Sequence, residues 1–250
     1  MIHVERGPKP KGFDGRASRW AARFRDEQRL EAQLTISKFW ARIRSEVRQD
    51  AEVLYSAFNG KCAFCESLMA HVSAPHIEHY RPKSQFPDLA FDWENWLLSC
   101  GRCNDSKWAH FPECDGEPCL INPTTEDPAE HVEFLDFIAL ARTQRGQETI
   151  KLVGLNRSPL EDERSRWLTY INVLLLLWVA SESLAEAREL LIWSMQNDAP
   201  YAAMTRCYLR EKAPRLAHPS PPHPHVDPKD PIGRMKRLMD EYASLLQNMA

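Results

Sequence analysis

Residues 62–107 gather the side chains in this chain that metal and acid–base chemistry need. The stretch opens with Cys62-Ala63-Phe64-Cys65, continues through His76-Ile77-Glu78-His79-Tyr80-Arg81-Pro82-Lys83, and closes with Asn95 to Cys100-Gly101-Arg102-Cys103-Asn104-Asp105-Ser106-Lys107. Two residues between thiolates let both sulfurs of a knuckle face one ion, and two such knuckles complete a tetrahedral site. Cys62, Cys65, Cys100 and Cys103 are therefore expected to hold a structural Zn²⁺. Buried free thiols would explain a single C-x-x-C but not a repeated one. A redox pair would be expected to open a helix after a βαβ strand, and neither knuckle does.

The elements that position these groups follow from local pattern. His76 to His79 reads as a short strand. Side chains alternate along a strand, so Glu78 and His79 serve one site only if the strand is bent, bulged or at the rim. Trp96 to Ser99 is an apolar run that can pair with it. Arg81 to Asp92, broken by Pro82 and Pro87, makes the connection. Asn104-Asp105-Ser106-Lys107-Trp108 can open a helix. The expected order is strand, long loop, strand, helix, with zinc at the base.

On these residues the chain resembles the HNH endonucleases with their ββα-metal fold. It looks closest to the Septu-type and retron-associated HNH nucleases of bacterial antiphage defence. The closer likeness rests on Ile77 to Lys83, Leu98 to Asn104, Leu120-Ile121-Asn122-Pro123 with Asp127-Pro128, and Thr149-Ile150 through Gly154-Leu155-Asn156-Arg157, within roughly residues 52–166. The resemblance implies His79 as the general base, Glu78 in the usual Asp place as a catalytic metal ligand, and Asn95 as the residue that holds the loop and orients the histidine. Asn104 stands where many members have a second metal-ligating His, so this is an H-N-N variant. The four cysteines match the structural zinc ligands of zinc-bearing members. The resemblance also implies an ATPase partner that senses infection.

That chemistry is coherent on its own terms. Phosphodiester cleavage needs a proton acceptor for water, and histidine is largely neutral at pH 7. It also needs a counter-charge for phosphate, which Mg²⁺ or Mn²⁺ supplies. Glu78 and Asn104 offer the oxygen that such hard ions take. Arg81, Lys83, Arg102 and Lys107 flank the site as candidate phosphate contacts. Each alone would be a solvated surface charge.

The whole chain of 250 residues carries a net charge of −3. Residues 1–48 hold twelve Lys/Arg and six Asp/Glu, and the remainder is acidic. This asymmetry reads as a basic arm for nucleic acid, a docking surface for an acidic partner, or a solvated helix face. No apolar stretch follows Met1, so a cytoplasmic protein without a signal peptide is expected, and the cysteine usage suits a reducing compartment. No G-x-x-x-x-G-K motif occurs, so the chain is expected to hydrolyse no nucleotide itself.

The expected fold class is α+β and mostly helical, with the zinc-stapled ββα core between N-terminal and C-terminal helices. The segments are residues 1–58 (basic arm and helices), 59–125 (HNH core), 126–213 (helical part), 214–231 (Pro-rich linker) and 232–250 (amphipathic helix). Residues 1–16 read as extended, 17–33 as a helix, and Thr35 to Phe58 as a second helix ended by Asn59-Gly60. Residues 109–130, rich in proline, read as a loop with free thiols at Cys114 and Cys119; a second metal site with His110 or His131 has weaker support. Residues 131–155 contain apolar segments of unfixed type. Ser158-Pro159-Leu160-Glu161 signals a helix start. Ile171 to Ala180 is too short to cross a membrane and reads as a buried helix. His218, His223 and His225 in the linker read as solvated. The stripe Met235, Leu238, Met239, Tyr242, Leu245, Leu246 and Met249 is core or fits a partner groove.

Two function classes remain. One is a metal-dependent endonuclease, DNA favoured and RNA allowed, working with an ATPase partner. The other is a non-catalytic zinc-stapled module that binds nucleic acid or protein, which leaves Glu78, His79, Asn95 and Asn104 unexplained.

Overall fold

The computed structural model describes residues 1–69, 76–180, 185–213 and 233. The linker and the last apolar stripe lie outside these residues. Among them the architecture is α+β and mostly helical, as the sequence implies, and the strands occur only in two-stranded sheets.

The central motif is a hairpin and the helix that follows it. Strand β1 (His76–His79) pairs antiparallel with β2 (Trp96–Ser99), with His79 opposite Trp96 and Glu78 opposite Leu97. All four β2 residues are buried, which suits the continuous apolar run that they form. The connection turns through two 3₁₀ segments, Pro87–Leu89 and Trp93–Asn95. Helix α4 (Gly101–Lys107) follows directly after β2, with Cys100 at its N-terminal boundary.

The N-terminal helices cover this hairpin. Helix α1 (Phe13–Leu30) starts earlier than the expected 17, and its Phe13 and Trp20 pack against Trp96 at centroid distances of 5.1 and 6.3 Å. The extended stretch before it is no loose arm. Arg6 is buried and donates to the carbonyls of Trp93 at 2.9 Å, Glu94 at 3.2 Å and Trp96. The guanidinium thus ties the N-terminal stretch to the turn that leads into β2.

The single helix expected over Thr35–Phe58 is two. Helix α2 (Ile36–Arg42) is capped by the Thr35 side chain, and α3 is Arg48–Ala57. Between them the turn tightens to i→i+3 bonds, Glu46 N–H to Ile43 at 2.9 Å and Asp50 N–H to Val47 at 3.1 Å. The break keeps Ile43 and Val47 buried and brings Glu46 to Trp20 Nε1 at 3.0 Å. Apolar spacing near 3.6 could not show it, because the buried residues stay in phase across the break. Asn59-Gly60 ends α3 as expected. Both have positive φ, and the Gly60 N–H returns to the Tyr55 carbonyl at 2.8 Å. A Cβ on Gly60 would meet the Tyr55 hydroxyl at 2.7 Å and its ring at 2.8 Å.

Residues 109–130 are more ordered than the expected loop. Glu113–Cys114 (β3) pairs with Glu117–Pro118 (β4), and Cys114 and Cys119 form a disulfide, which corrects the reading of free thiols. Residues 131–155 resolve into β5 (Val132–Leu135), β6 (Ile138–Ala141) and α5 (Gln144–Leu152). The α5 residue Arg145 holds Glu126 bidentately at 2.6 and 2.8 Å and donates to the Pro118 carbonyl at 2.8 Å.

The chain divides into two units, Met1–Val132 with Leu140–Leu155, and Glu133–Ala139 with Asn156–Ala250. The second unit is built from α6 (Ser158–Ala180), α7 (Ala185–Ser194) and α8 (Ala202–Lys212). Its core includes Trp167, Ile171, Leu174, Leu190 and Leu191, and Trp167 Nε1 donates to Thr205 Oγ1 at 2.9 Å. The run from Ile171 to Ala180 is not buried throughout, since Leu176 and Val179 are exposed. Among the described residues no helix is long and apolar enough to cross a membrane.

Candidate active site and zinc centre

The two knuckles converge. The sulfurs of Cys62, Cys65, Cys100 and Cys103 lie within 4.8 Å of one another, and Cys65 and Cys100 are 3.8 Å apart. A tetrahedron with Zn–S bonds of about 2.3 Å has sulfur–sulfur edges of ~3.8 Å, so this donor set fits zinc. Local bonds shape the first knuckle. The Cys62 N–H reaches the Ser67 carbonyl at 3.0 Å, and the Ala63 N–H reaches the Leu98 carbonyl at 2.8 Å, which ties the knuckle to β2. The second knuckle is the start of α4. Among the described residues no other group of three or more ligating side chains is gathered this way. His110 and His131 therefore join no metal cluster with Cys114 and Cys119.

Glu78, His79 and Asn104 line one cleft of 270 Å³, with Lys83, Asp105 and Trp108 at its walls. The alternation problem is resolved by position. His79 is the last residue of β1, and the chain turns at once through Tyr80-Arg81-Pro82, so both neighbours reach the cleft.

His79 is held on several sides. Its Nε2 lies 2.9 Å from the Ala90 carbonyl, which can only accept, so Nε2 carries the proton and the neutral ring leaves its lone pair on Nδ1. Nδ1 is buried and has no hydrogen-bond partner among the described residues. The Trp40 ring meets the imidazole edge-on at a centroid distance of 4.5 Å. Burial lowers the His79 pKa to about 3; Lys83 and Lys107 push the same way, and the bond to Ala90 resists. The ring is neutral across the physiological range.

Asn95 fastens the loop that presents the Ala90 carbonyl. Its Nδ2 donates to the carbonyls of Arg81 and Leu89, each at 3.0 Å, and its Oδ1 accepts from the Arg81 N–H at 2.7 Å. Trp96 Nε1 also donates to Ala90 O at 2.9 Å. One amide thus locks both ends of the loop beside the histidine.

The four expected phosphate contacts occupy four different settings. Lys107 is fully buried, with Nζ at 2.5 Å from Glu78 Oε1 and 3.0 Å from the His79 carbonyl. Its ammonium points inward and is committed, so the expected phosphate role does not suit it. Burial raises the Glu78 carboxyl above its ordinary value while Lys107 and Lys83 pull it down. Arg81 lies over the Phe86 and Phe111 rings at 5.4 and 5.2 Å. Arg102 is exposed, and Lys83 lines the cleft with Nζ 5.9 Å from the Trp40 ring.

Three residues carry weight here that sequence reasoning did not single out. Trp40 is one more residue within the stretch expected as the second helix. Asp105 was only a neighbour of Asn104. Trp108 is 73% exposed at the cleft and adopts φ 49, a conformation rare for a bulky side chain. Nothing in composition or spacing marks any of them.

Residues 62–109 match the family model described as HNH endonuclease. The chain carries an HNH endonuclease domain. Outside that domain the likeness extends further. The Septu protein PtuB of Bacillus mycoides (strain KBAB4) is 35% identical over 144 residues, covering 46% of this chain and 49% of the relative. The Septu protein PtuB of Bacillus thuringiensis is 34% identical over 100 residues, 40% of this chain and 38% of the relative. The Septu protein PtuA of Bacillus mycoides (strain KBAB4) is 24% identical over 183 residues, 62% of this chain and 25% of the relative. The chain spans half or less of the length of these curated relatives.

Proposed function

We propose that this protein is a metal-dependent endonuclease of a Septu-type antiphage defence system, cutting phosphodiester bonds of nucleic acid, with DNA the favoured substrate. The observation that carries this reading is a neutral histidine whose Nδ1 lone pair has no partner among the described residues, lining one cleft with a carboxylate and an amide in an HNH domain. His79 Nδ1 takes the proton from the attacking water. Nε2–H stays bonded to Ala90, so the ring cannot rotate away as the positive charge develops, and the carbonyl stabilises the imidazolium.

Glu78 and Asn104 are oxygen donors of the kind that Mg²⁺ or Mn²⁺ takes, and they fit such an ion at the cleft. When bound, the ion supplies positive charge to the phosphate and the leaving oxygen. Lys107 holds the Glu78 carboxylate in place from beneath. Lys83 and Arg102 supply positive charge for the phosphate, and Trp108 presents a ring face on which a base can stack. The zinc centre holds the fold and takes no part in the reaction. The Septu likeness favours action with a partner ATPase, in the cytoplasm.

The test is digestion of plasmid, single-stranded DNA and total RNA by the zinc-loaded protein, with Mg²⁺, with Mn²⁺ and with neither, alone and with the product of any adjacent ATPase gene. Metal-dependent cutting of at least one substrate is expected. A protein that binds nucleic acid but cuts none of them under any of these conditions would favour the non-catalytic module.

A further inference from the structure

The cleft holding Glu78, His79 and Asn104 continues past Asn104. A second cleft of 570 Å³ shares Lys83 and Asn104 with it and is walled by the N-terminal helices through Arg44, Arg48 and Tyr55. Arg44 sits in the turn between α2 and α3, and Arg48 is the first residue of α3, four positions on. Both are exposed.

Charge in this second cleft is one-sided. Its only acidic lining residue among those described is Glu52, 3.7 Å from Arg48. Both partners of that pair are largely exposed, so the pairing is weak and open to exchange. Several other cations of the N-terminal helices are matched: Arg16 with Asp50, Arg23 with Glu27 and Glu46, Arg42 with Glu27 and Glu31, Arg29 with Asp26. Arg44 makes no ion pair among the described residues, and it lines the same cleft as Lys83. Burial lowers the Lys83 pKa, Glu78 opposes, and Lys107 and Arg44 lower it further. The one carboxylate deep in the first cleft is already held by Lys107. Cations thus converge with too few anions, an arrangement that a bound polyanion relieves.

We propose that the second cleft holds the sugar–phosphate backbone of the strand being cut, with Arg44 and Arg48 neutralising two phosphates beyond the reacting one. This rests on the nuclease reading above. The half-buried Tyr55 ring lies on the same wall and gives a neighbouring base a face to stack on. The basic surplus of the N-terminal segment then has a local meaning. Most of it braces the helices, and the part facing the second cleft tracks the substrate.

The experiment is fluorescence anisotropy of a labelled single-stranded DNA with the full zinc-loaded chain, without added Mg²⁺ or Mn²⁺, across a series of salt concentrations. Each phosphate contact on a single strand contributes about 0.7 to the slope of log K against log salt. The double variant Arg44→Ala/Arg48→Ala is expected to bind more weakly at low salt, with a slope lower by about 1.4. The control Arg25→Ala/Arg29→Ala removes equal charge from α1, away from the cleft, and is expected to keep the parent slope. The proposal is overturned if the double variant keeps the parent slope, if both pairs lose it equally, or if the parent does not bind. Cutting is read separately. A parent that binds with the expected slope change and never cuts keeps this track and loses the nuclease reading.

Discussion

At the scale of the residue, the site depends on polar groups buried in pairs. Glu78 and Lys107 are both nearly inaccessible, and their 2.5 Å contact is the reason either can be there. Lys107→Met leaves a buried carboxylate without its partner, a change that typically costs about 3–5 kcal/mol. Thermal denaturation is expected to show that loss. Adding Glu78→Gln is expected to recover much of the stability without recovering cleavage, because the amide carries no charge for a metal. A double variant as unstable as Lys107→Met alone would show that the pair is not the cause. The sequence displayed both residues but not their union. A lysine in the last turn of a short helix can face water or core, and only the placement of α4 against β1 decides it. That Glu78, His79 and Asn104 would share a site was implied by the resemblance to the HNH pattern, and they line one cleft. Trp40 was not legible, since an aromatic on an amphipathic helix face carries no mark of what it will touch.

At the scale of the element, a zinc ion held by the four cysteines would join what the short hairpin cannot hold by itself. Two four-residue strands bury little surface, and the helix between Gly101 and Lys107 has less than two full turns. The cysteines fasten the first knuckle to the start of α4, which carries Asn104. The protein is expected to contain about one Zn²⁺ per chain. Cys103→Ser, or a strong chelator, is expected to cause insolubility or a large drop in melting temperature, and cleavage is expected to be lost with it. Soluble, active protein without zinc in metal analysis would contradict this. Replacing Cys114 and Cys119 by serine is expected to leave the zinc content unchanged, since that pair is a disulfide remote from the cluster in sequence and absent from it in space. The Arg145–Glu126 pair braces the loop behind the site in a similar way. Burial pushes the Glu126 carboxyl up, but Arg145 and the Asn122 N–H outweigh it and the net shift is downward. A depressed carboxylate stabilises above its unfolded pKa, and that contribution is lost as pH falls through the folded one. Glu126→Gln is therefore expected to melt lower than the parent near neutrality, and the difference is expected to shrink as pH drops below about 4.5. A difference that grows toward acid would reverse the assignment. Strand, loop, strand and helix were legible from apolar runs and prolines. The break between α2 and α3 and the small β3–β4 hairpin were not, because tertiary contacts at Glu46 and a covalent bond at Cys114 decide them.

At the scale of the whole molecule, the motif is a small part of the chain, and the N-terminal helices of the first unit supply walls around it. The first unit lays α1 and α2 over β2, so an aromatic cluster of Phe13, Trp20, Trp40, Phe91 and Trp96 excludes water behind His79. The net charge of −3 hides this organisation, since acidic residues elsewhere cancel the basic N-terminal helices. The sequence revealed the asymmetry but left three readings of it open. Position in three dimensions sets Arg44 and Arg48, which line the second cleft, apart from arginines such as Arg23 and Arg42 that brace the helices. The second unit is a helical core around Trp167 in its own right, and its Leu176 and Val179 are exposed. Hydropathy had placed that run inside, because a continuous apolar stretch gives no sign of which side of a helix will be covered.

The central claim is that one buried histidine performs the cutting, and His79→Ala tests it most directly. The substitution touches none of the four thiols, so zinc content and solubility are expected to match the parent. Cleavage of the best substrate, assayed with Mg²⁺ or Mn²⁺ and any activating partner, is expected to fall about 10²–10⁴-fold. Added metal is not expected to restore it, whereas Asn104→Ala is expected to recover in part as metal rises, and Asn95→Ala to fall between the two. A zinc-loaded His79→Ala protein that cuts as fast as the parent would contradict the account.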